Sequence, residues 1–169
     1  MSKQKLNAEC LEKAGKVKLL LMDCDGVLTD GRLYFSKDGE ELKVFNIKDG
    51  QGIVSWHKAG FFSGIITGRK SVMLEKRVEE LGIHYLMQNS KDKIKDFNKI
   101  LKKVRLSKEE VAYIGDDISD IELLREVGFP IAVSDSADEL LSEVLFVTGN
   151  KGGFGAVREI TNLLLKTKQ

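Results

Sequence analysis

Proline occurs once in this chain of 169 residues, at Pro130, and cysteine twice, at Cys10 and Cys24. No proline-rich, repeated or low-complexity stretch reads as a linker, and the length suits one domain with a full-sized core. A single domain over residues 1–169 is therefore expected. Two cysteines make no disulfide framework and point to a reduced, cytoplasmic setting. No apolar run approaches the roughly 20 residues that cross a bilayer. The opening MSKQKLNAECLEKAGK lacks an apolar centre and is not read as a secretory signal. An excess of one charge is missing too. Lys and Arg number 27 against 26 Asp and Glu, a net of +1 without the basic field of a nucleic-acid binder.

What is present is alternation. Short apolar runs at residues 17–22, 61–67, 85–87, 111–115, 131–133 and 145–148 read as strands. Helix-like stretches at 50–59, 71–81, 91–104, 120–127, 137–144 and 156–166 lie between or after them. In the second of these helices Val72, Leu74, Val78 and Leu81 fall near one face. This order predicts an α/β fold, a mostly parallel sheet covered by helices on both sides. Ligands then bind at the carboxyl ends of the strands. One segment breaks the rhythm: GRLYFSKDGEELKVFNIKDG holds two alternating runs, 32–36 and 42–47, around Asp38-Gly39. That is a hairpin signal, and it predicts an insertion over about residues 31–47. It reads as a sheet extension, a flap or an oligomer contact.

The first strand runs into DCDGVLTDG, which crowds Asp23, Asp25 and Asp30 together. Two carboxylates about 4 Å apart repel by roughly 4 kcal/mol near a surface, so either a cation or a solvated turn is implied. In an extended strand Asp23 and Asp25 share a side and Cys24 faces away, and Gly26 permits a sharp turn. The second strand ends in ITGRK, with Thr67 and Arg69. Lys91 and Lys93 follow the third strand, and the fourth ends in GDDISD, with Asp116, Asp117 and Asp120. All these ends share one edge of a doubly wound sheet.

Phosphoryl transfer to an aspartate needs this set. Mg²⁺ takes oxygen ligands, and Asp23 and Asp116 come from different strands. Asp23 can attack phosphorus, Asp25 can exchange the proton, and Thr67, the backbone near Gly68 and Lys93 can hold the phosphate oxygens. Each residue has a plainer reading. Thr67 or Ser71 can cap a helix, Lys93 can be one solvated lysine in KDKIKDFNKILKK, and Ser119 or Asp120 can be caps.

In this order DCDGVLTDG, ITGR, Lys93 and GDDISD resemble the four motifs of the haloacid dehalogenase superfamily. The resemblance implies a three-layer Rossmann-like fold, with Asp23 as nucleophile and metal ligand. It implies Asp25 as acid/base and carbonyl ligand, Asp116 as a metal carboxylate, and Thr67 and Lys93 on the phosphate. Asp117 and Asp120 would orient metal waters or Lys93. The short form without a cap domain, with FNIKDGQGI and KGGFGAVRE, is similar to the 3-deoxy-D-manno-octulosonate 8-phosphate (KDO 8-phosphate) phosphatase family. That likeness implies a homotetramer built through the hairpins. It also implies substrate contacts at Asn46, Ile47, Lys48, Asp49, Gly50, Arg69, Arg77, Lys93 and Arg158.

Physically, Lys48, Arg69 and Arg77 are candidates for a sugar-acid carboxylate, which Arg binds bidentately; the plainer reading of Arg77 is a solvated helix face. Many family members carry a basic residue where this chain has Val54. The glycines of KGGFG lack the GK[ST] order of a phosphate loop and read as a flexible entry into the last helix. The expected activity is a Mg²⁺-dependent phosphatase of KDO 8-phosphate in lipopolysaccharide precursor synthesis. The other readings are a phosphatase of a nine-carbon sialic-type sugar acid phosphate, a phosphotransferase or mutase, and a non-hydrolytic receiver-like module. A receiver usually carries its acceptor on the third strand and has no use for Asp25.

Overall fold

The computed structural model describes residues 7–37, 39 and 41–168. Asp38 of the expected hairpin turn lies outside them, as do residues 1–6. The chain opens on α1 (Ala8–Lys16), capped by the Asn7 side chain, which accepts from Cys10 N. The sequence pattern hid this helix because its buried stripe is made of two small side chains, Cys10 and Ala14.

Strand β1 (Leu19–Met22) follows, every residue buried. Leu20 and Met22 enter one core and Leu19 and Leu21 the other, as two-fold alternation demands of a strand buried on both faces. The remaining sheet strands are β4 (Phe62–Ile66), β5 (Tyr85–Met87), β6 (Val111–Gly115), β7 (Phe129–Ala132) and β8 (Phe146–Val147). They are all parallel, in the order β5-β4-β1-β6-β7-β8. Helices α2 (Ile47–Lys58), α3 (Val72–Leu81) and α6 (Ala156–Lys166) join α1 on one face. There Ile53, Trp56, Leu74, Ile160 and Leu164 bury. Helices α4 (Lys93–Val104) and α5 (Ile121–Leu124) cover the other through Phe97, Ile100, Leu123 and Leu124. The result is a three-layer Rossmann-like fold.

Two expected helices are shorter than their pattern. Helix α5 ends at Leu124, and the chain then packs Gly128 so tightly on Glu109 that a side chain there would overlap its backbone. Residues 138–142 form a tight 3₁₀ turn anchored by Leu140, its buried residue. The hairpin, β2 (Tyr34–Phe35) and β3 (Glu41–Leu42), is antiparallel and forms its own two-stranded sheet, so it is not a sheet extension. Among the described residues no helix is long and apolar enough to cross a membrane.

Candidate active site

The two central strands, β1 and β6, deliver Asp23 and Asp116 side by side at their carboxyl ends. Strand alternation does not reach Asp25, because β1 stops at Met22. The Cys24 carbonyl instead accepts N–H groups from Val27, Leu28 and Thr29 at 3.3, 2.9 and 3.1 Å, and this turn places Asp25. Gly26, at φ +87°, permits the turn, and a side chain there would overlap Asp116 Oδ2. Asp30 sits at the way out, where its Oδ1 accepts from Arg32 N at 3.0 Å.

Lys93, first residue of α4, crosses to this cluster. Its Nζ donates to Asp23 Oδ2 and to Asp120 Oδ1, both at 2.6 Å, and lies 3.2 Å from the Tyr113 hydroxyl. It is therefore not one of the solvated lysines of its segment. Burial alone would lower its pKa; Asp23 and Asp120 outweigh that and raise it. Asp120 is wholly buried, with every oxygen in use. Oδ1 takes Lys93 and the Tyr113 hydroxyl (2.5 Å), and Oδ2 takes the N–H groups of Asp116 and Asp117 at 3.0 and 3.3 Å. Asp117 caps the same turn through Ile118 N at 2.8 Å. Burial pushes the Asp23 carboxyl above its usual range, against the pull of Lys93 and with a further push from Asp120.

The electrostatics are those of a cation site. One oxygen each of Asp23, Asp116 and Asp120 lies within 4.8 Å of the others. Asp116 Oδ1 is buried without a hydrogen-bond partner among the described residues. Burial, then Asp120 and Asp23, raise Asp116 to about 8. A divalent ion would satisfy the orphaned oxygen and restore the charge, so the donor set fits magnesium.

Thr67 follows β4 and is buried, its main chain held between Met87 O (2.9 Å) and Ser90 N (3.0 Å). Arg69 Nε stands 3.6 Å from Asp25 Oδ2. On the other oxygen of Asp25 sits Lys43, just past β3, its side chain 2% exposed. Sequence reasoning missed Lys43. It stands in an alternating run whose polar positions ordinarily face water, and only its inward orientation marks it.

The remaining expected contacts gather at the start of α2. Asn46 caps that helix through Lys48 N at 2.8 Å, and its amide donates to Gly153 O at 3.1 Å. Ile47 faces solvent, 83% exposed, and Lys48 is exposed as well. Arg77 donates to Asn46 O at 3.4 Å and to Glu80, and its guanidinium lies 5.8 Å from the centre of the Phe45 ring. It packs over Gly50, where a side chain would push that guanidinium aside. Arg77 is thus neither a solvated face residue nor in contact with the carboxylate cluster.

Asp49 lies in the first turn of α2. It is 1% exposed, and its oxygens accept the N–H groups of Arg158 at 2.8 Å and Gly155 at 3.2 Å, which ties α2 to the first turn of α6. The enclosed carboxylate thus holds two helices together. Asp49→Ala is expected to lower stability by roughly 2 kcal/mol, read as a shift in urea midpoint with unchanged slope.

The glycine segment before α6 is likewise not a loose entry. Gly153 N donates to Val27 O at 2.9 Å, Gly152 N to Asp135 Oδ1 at 3.0 Å, and a side chain on Gly152 would overlap Gly26 O. The backbone of residues 152–153 therefore lies directly on the turn that carries Asp25. Arg158 uses its backbone on Asp49, and its side chain packs by Gly52.

A parallel sheet with a carboxylate cluster at the ends of its two central strands and a buried lysine on the first aspartate suits a metal-dependent phosphohydrolase. Residues 81–160 match the family model of haloacid dehalogenase-like hydrolases. The 3-deoxy-D-manno-octulosonate 8-phosphate phosphatase of Escherichia coli K12 is 42% identical over 95% of this chain and 85% of its own. Among solved structures, that of the Yersinia pestis phosphatase of the same name superposes with a TM-score of 0.94 at 40% identity, over 95% of this chain and 87% of that one. The Moraxella catarrhalis phosphatase, solved with magnesium ion, phosphate ion and KDO, gives 0.92 at 38% identity, over 95% and 92%. The chain belongs to the 3-deoxy-D-manno-octulosonate 8-phosphate phosphatase family of haloacid dehalogenase-like hydrolases.

Proposed function

We propose that this chain hydrolyses 3-deoxy-D-manno-octulosonate 8-phosphate to KDO and phosphate with Mg²⁺, in the cytoplasm, as a step of lipopolysaccharide precursor synthesis. The observation that carries this reading is the cluster of Asp23, Asp116 and Asp120 oxygens with Lys93 on the first of them. Asp23, Asp116 and the main-chain carbonyl of Asp25 would hold the ion. When bound, it neutralises the carboxylates and the phosphate oxygens.

Asp23 attacks phosphorus in line, and the bond to the sugar oxygen breaks as Asp25 gives that oxygen a proton. Lys93, Thr67 and the backbone N–H at Gly68 hold the phosphoryl oxygens where charge spreads. Asp25 then takes a proton from water as the water oxygen attacks phosphorus, and the aspartyl phosphate breaks to regenerate Asp23. Asp120 acts through Lys93: held by the Tyr113 hydroxyl, it fixes the ammonium over Asp23. The buried phenol, raised well above its usual pKa by burial and then by Asp120, stays a donor.

The test compares kcat/KM for eight- and nine-carbon sugar acid phosphates, with Mg²⁺ and with EDTA. Preference for KDO 8-phosphate, lost with the metal, is expected. A nine-carbon preference moves the assignment to that sugar, and stable labelling without turnover overturns the phosphatase.

The hairpin supports assembly into a homotetramer. Leu33, Tyr34, Phe35, Leu42 and Val44 are all exposed on a ribbon of two short strands, which has little stability alone. Hairpins pairing between subunits cover these side chains, and the exposed Ile47 and Lys48 then complete the sugar site of a neighbouring chain, while Arg69 serves its own beside Asp25. Phe35→Asp with Leu42→Asp should reduce the mass by light scattering to that of smaller species; an unchanged mass refutes this role.

A further inference from the structure

Along β3 and the residue pair after it, polarity is inverted. Leu42 and Val44 are exposed, whereas Lys43 between them turns inward and is buried. Burying an ammonium costs several kcal/mol. A methionine of similar reach would fill the space without that cost, so packing does not explain the charge. What the ammonium meets is Asp25 Oδ1, while Asp25 Oδ2 is buried without a hydrogen bond among the described residues. Arg69 Nε lies 3.6 Å from that second oxygen.

We propose that Lys43 is a positioning residue that clamps Oδ1 of Asp25 and so leaves Oδ2 as the oxygen that exchanges the proton, which makes the hairpin part of the proton-transfer apparatus. The inference rests on the reading of Asp25 as acid and base. The clamp works through geometry. A carboxyl on a turn rotates freely about its last bond, and an ion pair with a buried, immobile ammonium removes that rotation. The proton then passes from one defined oxygen to the leaving sugar oxygen as its bond to phosphorus breaks. In the second half-reaction it returns from water to the same oxygen. Misplacement of a proton donor by about 1 Å can cost on the order of 100-fold.

Two substrates separate this role from a structural one. Departure of an alkyl oxygen needs the proton, whereas p-nitrophenolate leaves readily without it. First-step rate constants are measured in single turnovers, as release of KDO from KDO 8-phosphate and of p-nitrophenolate from p-nitrophenyl phosphate. In Lys43→Met the alkyl-to-aryl ratio of these constants is expected to fall by about 10-fold or more, through kcat rather than KM. Lys43→Arg, which keeps the cation, should restore most of the ratio. Lys43→Gln carries the same test should the Met variant not fold. Asp25→Asn is the reference. If it depresses the ratio and the Lys43 variants do not, the clamp is overturned while Asp25 keeps its role. If Asp25→Asn leaves the ratio unchanged, the acid/base reading itself fails. A change in KM for the sugar phosphate alone overturns the clamp in favour of a substrate contact.

Discussion

Asp23→Asn lowers kcat by about 10⁴-fold or more and leaves the fold unchanged. The amide has nearly the shape of the carboxylate but offers a neutral oxygen that cannot form an acyl phosphate. Folding does not depend on the missing charge. Burial already holds the Asp23 carboxyl above its usual range, so a neutral group at this position relieves desolvation while it gives up the pair with Lys93. The checks are turnover of KDO 8-phosphate and a thermal melt side by side. Substantial remaining activity removes Asp23 as nucleophile.

Gly26→Ala is expected to weaken magnesium binding by about 100-fold without altering any charge. The new methyl group overlaps Asp116 Oδ2, and the position's φ of +87° suits no side chain. Such a backbone costs an alanine about 1–2 kcal/mol. Either the turn opens or Asp116 swings away from Asp23, and both enlarge the gap that the ion spans. The measurement is a magnesium titration of activity and, independently, of binding by calorimetry. At saturating metal part of the rate should return, because Asp23 and Lys93 stay in place. Unchanged half-saturation would place the ion elsewhere.

The sheet and the order of its strands were legible because each buried run is short, apolar and followed by helical spacing. Asp23, Thr67 and Asp116 were legible for the same reason, since each follows a strand end that the topology must bring to one edge, and Lys93 opens the helix after β5. What escaped the sequence obeys other physics. The α1 helix buries Cys10 and Ala14, side chains too small to mark a period. Asp49 stands in a motif beside candidate ligand residues, yet its partners are backbone N–H groups over 100 positions away, which no spacing reveals. Lys43 looks like any polar position of a hairpin, and its burial depends on how the whole ribbon sits over Asp25. Placement of Asp25 by alternation was also misleading, because the strand ends before it and a turn takes over.

The contact between Gly152 and Gly26 joins the end of the chain to its beginning. On the ribosome, the sheet strands that bear Asp23 and Asp116 emerge well before the segment that braces the turn between them. A nascent chain therefore has its reactive aspartates long before it has a rigid cradle for them, and catalytic competence arrives only with the last helix. Fragments that end between residues 120 and 152, whether from premature termination or proteolysis, carry Asp23, Asp25, Lys93, Asp116 and Asp120 and are expected to be idle.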